Sequence, residues 1–292
     1  SISKLKLLDK RFFGIYNIHL KKFKNDNFLK ETLEMSRQIL KKNNTLYELN
    51  NKDIQINFNS FYQDKYTQPF IPIYAKGPWI GIGYNQIVYD AGGYGMLGFG
   101  HNYNNILNAL SKPQVMANIM TPNVNQYIFS SKLKKEIGNS VNYKPYDKFM
   151  CLNSGSEINT LALRIANIHK NDNPVRINLK GSFHGRTEEP ANLSDSCQPI
   201  YEEHLNNYKL KKKNIYSIEP NNINDLKNTF NKITLQKQFP EIFIMEPVMG
   251  EGMPGVSITP EFYKEARRLT KEHNCLLLVD SIQAGFRCNG CL

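Results

Sequence analysis

The sequence has no run of about 18 or more uncharged apolar residues, the length a helix needs to cross a bilayer, so no membrane span is expected. Its first residues, Ser1-Ile2-Ser3-Lys4-Leu5-Lys6, lack the apolar block and small-residue cleavage site of a secretory signal, which predicts a non-secreted protein. Cysteine is scarce. There are five in 292 residues, an odd number that a closed disulfide framework leaves unbalanced, and this fits a reducing compartment. A cytoplasmic protein is therefore expected, with the mitochondrial matrix as the alternative. Cys288-Asn289-Gly290-Cys291 has redox-motif spacing, but no second pair or histidine cluster completes a metal site. Two ordinary thiols are the plainer reading, and no metal is expected. Internal repeats are absent, and so is the aromatic-plus-basic pattern of an RNA-binding module.

What is present is globular: 40% hydrophobic and 22% charged residues, in a length that suits one large domain or two ordinary ones. The net charge of +11 is spread over short runs such as Lys21-Lys22, Lys41-Lys42, Lys134-Lys135 and Lys211-Lys212-Lys213. That spread reads as solvated surface, with no nucleic-acid or membrane partner expected.

Residues 23–51 carry apolar positions at helical spacing, and residues 54–61 alternate as a strand does. Pro69, Pro72 and Pro78 then mark an extended, loop-rich passage, followed by a short strand at 87–90 and a glycine-rich stretch to His101. A helix is expected to begin at 104–110. From Val141 onward, strands at 148–152, 175–179, 242–245 and 275–279 alternate with helices at 157–169, 224–230 and 260–273. The first of these helices shows Ile158, Leu161, Ala162, Ile165 and Ala166 on one face. Continuous apolar strands separated by helices predict an α/β fold with a parallel sheet covered on both faces. Ligands in such sheets sit beyond the carboxyl ends of the strands.

Four loops follow these strands. Asn153-Ser154-Gly155-Ser156-Glu157 is a strand-to-helix turn whose free N–H groups and dipole suit a phosphate or carboxylate, or simply hold a serine N-cap. Gly181-Ser182-Phe183-His184-Gly185-Arg186-Thr187 gathers an aromatic ring, an imidazole and a guanidinium, a group able to stack on a flat heteroaromatic ring or to form a capped surface loop. Glu246-Pro247-Val248-Met249-Gly250-Glu251-Gly252 places two carboxylates on a glycine-rich turn, open to acid–base work, metal or neither. Asp280 ends the apolar strand 275–279, where a charge is costly unless paired, and a protonated ring nitrogen is a fitting partner.

Taken in this order, Ser154-Gly155-Ser156-Glu157, Phe183-His184-Gly185-Arg186-Thr187, Glu246-Pro247-Val248-x-Gly250-Glu251-Gly252 and Asp280-x-x-Gln283-x-Gly285 resemble the class III aminotransferases, fold type I pyridoxal-phosphate enzymes. Asp90, the glycines after it and Gly100-His101 are similar to the family's early substrate-side strand, so the resemblance covers residues 85–292 and none of 1–80. It implies a mixed, mostly parallel sheet with helices on both faces. Residues 1–100 would be an N-terminal segment with part of a small domain, and residues 101–292 a large cofactor-binding domain incomplete at its C-terminal end.

By the same resemblance the cofactor is pyridoxal 5'-phosphate, and the reaction moves an amino group from an amine or amino acid to a 2-oxo acid. Gly155 and Ser156 would bind its phosphate, Phe183 would stack on the ring with His184 beside it, Gln283 would reach the phenolic oxygen, and Asp280 would pair with the ring nitrogen. Glu246 and Glu251 would stand at the substrate end, so that Asp280, Glu246 and Glu251 are the candidate catalytic residues. Ser281, Ala284 and Met249 depart from the family's usual Glu, Thr and Gln, which implies altered substrate contacts. The family's Schiff-base lysine lies beyond the aspartate strand, and no lysine follows Lys271. The expectation is an N-terminal portion that is inactive alone: a truncated product, half of a split enzyme completed by a partner chain, or a scaffold that has lost catalysis. A homodimer is expected as well.

Overall fold

A computed structural model of the chain describes residues 23, 25–47, 54, 70–90, 98–113, 115, 120–137, 146, 148–168, 172–204 and 214–285. These fall into two compact units, Ser1–Asn118 and Ile119–Leu292. The glycines at 92–95, the lysines at 211–213, the Cys288/Cys291 pair and all of the strand expected at 54–61 except Ile54 lie outside the described residues.

In the first unit, helix α1 (Asn27–Lys42) starts at Asp26, whose Oδ1 accepts from the N–H groups of Phe28 and Leu29 at 2.8 and 3.1 Å. These are two of the orphan donors that every helix start leaves. Leu29, Thr32, Ser36 and Leu40 form its buried stripe. The stripe lies on a three-stranded antiparallel sheet of β1 (Tyr74–Lys76), β2 (Trp79–Gly81) and β3 (Ile87–Tyr89). The first two strands correct the expectation of a loop-rich passage up to Trp79. They are three residues each, too short for an alternation to show. Asp26 also accepts from Trp79 Nε1 at 3.1 Å, tying helix start to sheet. Helix α2 (Asn104–Leu110) forms where expected.

The second unit begins with helix α3 (Val124–Glu136), set by a capping box between Asn123 and Gln126. Residues 148–152, expected as a strand, form no regular element and pair with no strand among the described residues, and Met150 and Leu152 are exposed. There follow α4 (Gly155–Ala166), β4 (Pro174–Leu179), α5 (Glu188–Leu193), α6 (Gln198–His204), β5 (Ile215–Ile218), α7 (Ile223–Leu235), β6 (Phe239–Met245), α8 (Pro260–Glu272) and β7 (Leu276–Val279). The strands lie in the order β5-β4-β6-β7, every pairing parallel.

Alternation along β6 decides the two faces. Phe243 and Met245 join Val175, Ile177 and Leu179 of β4 in a core under α7 and α8, with Phe230 and Phe262 at its centre. Ile242 and Ile244 face the other way, against Leu163 and Ala166 of α4 and Leu193 of α5. On that second face β4 carries polar side chains. Arg176 is satisfied by Glu241, Glu189 and Asn167, and Asn178 donates to the Leu193 carbonyl. The α/β expectation holds.

Two details differ. β7 stands at the edge of the described sheet and is only partly buried, although its apolar run suggested a covered central strand. The most buried residues of α4 are Asn159, Leu163 and Ala166, a stripe rotated from the expected face, on which Ile165 is 41% exposed. No described helix is long and apolar enough to cross a membrane.

Candidate active site

The carboxyl ends of β4, β6 and β7 and the N-terminus of α4 converge on one hydrogen-bonded cluster. Asp280 follows β7, and its N–H donates to the Met245 carbonyl at 2.8 Å, continuing the ladder. Its side chain is buried and takes three hydrogen bonds. Oδ2 accepts from Asn159 Nδ2 at 2.8 Å and from His184 Nδ1 at 2.9 Å, and Oδ1 accepts from Ile282 N at 3.2 Å. A buried carboxylate is tolerated only with such partners. An ionised carboxylate has no proton to give, so His184 must carry one on Nδ1. Its Nε2 is buried without a hydrogen-bond partner among the described residues.

The loop after β4 is held at several points. The N–H groups of His184 and Gly185 both donate to Ser194 Oγ, at 2.8 and 3.1 Å. Phe183 N donates to Glu246 Oε2 at 2.9 Å, and Gly250 N donates to Glu246 Oε1 at 3.1 Å. Glu246 thus joins the loop after β4 to the turn after β6. Burial pushes its carboxyl above the usual 4.5, although the Phe183 amide opposes the rise. A folded-state value above the unfolded one means that Glu246 contributes stability below pH 4.5 and loses it as pH climbs through the raised value. Against Glu246→Gln, which cannot titrate, the wild-type chain should therefore lose ground steadily across that window in urea unfolding. Parallel pH–stability curves for the two proteins would contradict the assignment.

Helix α4 begins at Ser154, whose Oγ accepts from Glu157 N at 3.2 Å and donates to Glu157 Oε2 at 3.0 Å. The helix gives no internal partner to the N–H groups of Gly155 and Ser156. Ser156 Oγ accepts from Arg186 N at 3.0 Å, which leaves its own proton for a further acceptor. The Arg186 guanidinium stands 5.3 Å from the centre of the half-buried Phe183 ring. Gln283 lies against the turn after β6, close enough that a Cβ on Gly250 would fall 1.7 Å from its Oε1.

Gly155, Ser156, Phe183, His184, Glu246, Asp280 and Gln283 are thus brought together. Glu251 is not. It is exposed on the turn, and no hydrogen bond among the described residues joins it to the cluster. Asn159 and Ser194 are cluster members that sequence reasoning passed over. Asn159 had a signal, an amide in the 159/163/166 stripe of an otherwise apolar helix face, and Ser194 had none.

Residues 63–292 match the family model described as aminotransferase class III, 230 of the 292 residues. The chain belongs to the class III aminotransferases. The match starts at 63, so the family's sequence reaches further toward the N-terminus than the resemblance at 85–292 suggested. Among curated relatives, the ornithine aminotransferase of Staphylococcus epidermidis is 27% identical over 232 residues, 76% of this chain and 54% of that protein. The succinylornithine transaminase/acetylornithine aminotransferase of Pseudomonas aeruginosa is 28% identical over 236 residues, with the same 76% and 54% coverage. Among solved structures, the ornithine aminotransferase of Toxoplasma gondii superposes with a TM-score of 0.64 at 20% identity, over 85% of this chain and 57% of that one. This likeness shows the fold, that of the fold type I transaminases. The chain spans about half the length of the curated relatives it matches.

Proposed function

We propose that the cluster is the cofactor cradle of an aminotransferase and that it takes pyridoxal 5'-phosphate, the cofactor of the class III family. What carries this reading is Asp280, a buried carboxylate fixed by three donors beside an aromatic ring and a helix N-terminus. The donor set fits the group at both ends. The N–H groups of Gly155 and Ser156 with the Ser156 hydroxyl suit a phosphate dianion at the positive end of α4. The Asp280 carboxylate suits a protonated ring nitrogen, and the Phe183 ring offers a flat face between them. Gln283 has an amide to give to a phenolic oxygen.

When bound, pyridoxal phosphate supplies an electron-withdrawing ring that takes up charge developing at the substrate carbon. The chain's own residues prepare for that. Asp280 holds a proton on the ring nitrogen by charge, His184 and Asn159 hold Asp280, and Glu246 holds the backbone of Phe183. Residues 101–292 form the cofactor-binding domain in this reading, with Glu251 on the open side toward the substrate. The substrates are an amine or amino acid and a 2-oxo acid.

No lysine follows Lys271 within the 292 residues, so amino transfer on this stretch needs a lysine from outside it, in cis or from a second chain. By itself the stretch binds the cofactor reversibly. Calorimetric titration with pyridoxamine 5'-phosphate, which cannot condense with a lysine, should show one site that inorganic phosphate competes for. The absence of saturable binding would end the reading.

Self-association is part of the proposal. Helix α3 buries none of its residues, and Val124 and Tyr127 are more than two-thirds exposed, with Ile128 and Phe129 also outward. Light scattering at micromolar concentration should give twice the chain mass, and Tyr127→Glu should shift the protein toward monomer. A monomer for the unaltered chain would contradict this.

A further inference from the structure

We propose that Asn159 is the positioning residue of Asp280: one side-chain amide locks that carboxylate to the backbone of the 183–187 loop and so sets how strongly the site recognises a ring nitrogen. The inference rests on the cofactor reading above. Asn159 is 3% exposed and sits in the same buried stripe of α4 as Leu163 and Ala166. An amide there costs free energy unless satisfied, and an alanine or leucine would serve the packing as well. Its Nδ2 donates to Asp280 Oδ2 and to the His184 carbonyl, each at 2.8 Å, which uses both protons of the NH2. The two acceptors stand in the loops that follow different strands, β4 and β7, so the amide fixes one loop against the other. The carboxylate is filled unevenly. Among the described residues, Oδ2 takes the donors Asn159 and His184, whereas Oδ1 takes the Ile282 N–H alone. Oδ1 therefore keeps capacity for one more donor, and a ring N–H⁺ is a donor of matching charge. Without Asn159, Oδ2 loses one of its two holders, and His184 Nδ1 is left as its remaining tie to the loop carrying Phe183.

A general loss of packing would weaken every ligand of the site, whereas an effect through Asp280 weakens only ligands with a ring nitrogen. The test compares pyridoxamine 5'-phosphate with its 1-deaza analogue, in which a C–H replaces that nitrogen. Calorimetric titrations are run on the chain, on Asn159→Ala and on Asn159→Leu, the last keeping the branched side-chain shape without its polar atoms. The wild-type chain should prefer the nitrogen-bearing ligand. Both variants should lose about tenfold of that preference, the effect of one charge-assisted hydrogen bond, while binding the deaza analogue nearly unchanged. Equal weakening of both ligands, no weakening of either, or loss of the folded state in both variants would overturn the inference and leave Asn159 a packing residue. A wild-type chain that binds both ligands equally would instead refute the pairing of Asp280 with a ring nitrogen, and the inference with it.

Discussion

Asp280→Ala should reduce affinity for pyridoxamine 5'-phosphate by about a hundredfold or more, the largest effect expected of any single substitution in the site. A hydrogen bond to a charged group is worth about 1.5–3 kcal/mol, and breaking a buried ion pair by removing one partner costs about 3–5 kcal/mol. The substitution also strands the His184 Nδ1–H, which has no other described acceptor, and takes from Asn159 one of its two. Some stability is therefore lost as well. Asp280→Asn separates the two effects. It keeps the volume and one acceptor oxygen but removes the charge, so the affinity loss should persist while the unfolding midpoint recovers toward wild type. With a lysine supplied from outside the 292 residues, amino transfer by Asp280→Ala should fall about 10²–10³-fold, the usual cost of deleting one preorganised charge partner. Phe183→Ala should cost only about tenfold in affinity, because ring contacts are worth about 0.5–1.5 kcal/mol beyond burial. Near-normal transfer in Asp280→Ala would mean that the aspartate does not face the ring nitrogen.

Gly185→Ala should destabilise the chain by about 2–4 kcal/mol and loosen the cradle at the same time. Gly185 has φ of +129°, a backbone state that residues with a Cβ rarely adopt. A Cβ there would also sit 2.9 Å from the Ser156 Cα and 2.6 Å from its Oγ. The neighbour is the first turn of α4, not the flexible end of a side chain, so relief requires the 183–187 loop to back away from the helix. That movement breaks the Arg186 N–H bond to Ser156 Oγ, which closes the proposed phosphate end of the site. Gly255→Ala is the internal comparison. It too lies at positive φ, +82°, but its added Cβ would meet nothing within 4 Å. The difference between the two urea midpoints, at unchanged slope, measures the loop–helix contact together with any difference in backbone strain between the two φ values. Equal losses would show that the close approach to Ser156 is not tight.

The continuous apolar strands β4 and β6 and the periodic helices α7 and α8 were legible in the sequence. The sheet's edges were not. Leu276 to Val279 reads as a buried strand because four apolar residues in a row carry no sign of which neighbour covers them. Residues 148–152 failed for the related reason that a strand exists only with a partner, and composition does not supply one. β5 passed unseen because Ile215-Tyr216-Ser217-Ile218 is short and mixed. Within the site, the loop motifs exposed the residues proposed to touch a ligand: Ser156, Phe183, Asp280 and Gln283. They did not expose the residues that hold those in place. Asn159 acts through contacts 25 and 121 positions away in sequence, and Glu246, whose carboxylate suggested acid–base work, spends both oxygens on backbone N–H groups. Such roles depend on which loops the sheet brings together, information that spacing along one segment does not contain.

The central claim, that these loops form a cofactor cradle, is tested most directly by a crystal structure of the chain with bound pyridoxamine 5'-phosphate. The expected result is a ring nitrogen on the Asp280 carboxylate, the ring against Phe183, and the phosphate on the N–H groups of Gly155 and Ser156. A ligand bound elsewhere, or bound here with its ring nitrogen turned away from Asp280, would contradict it.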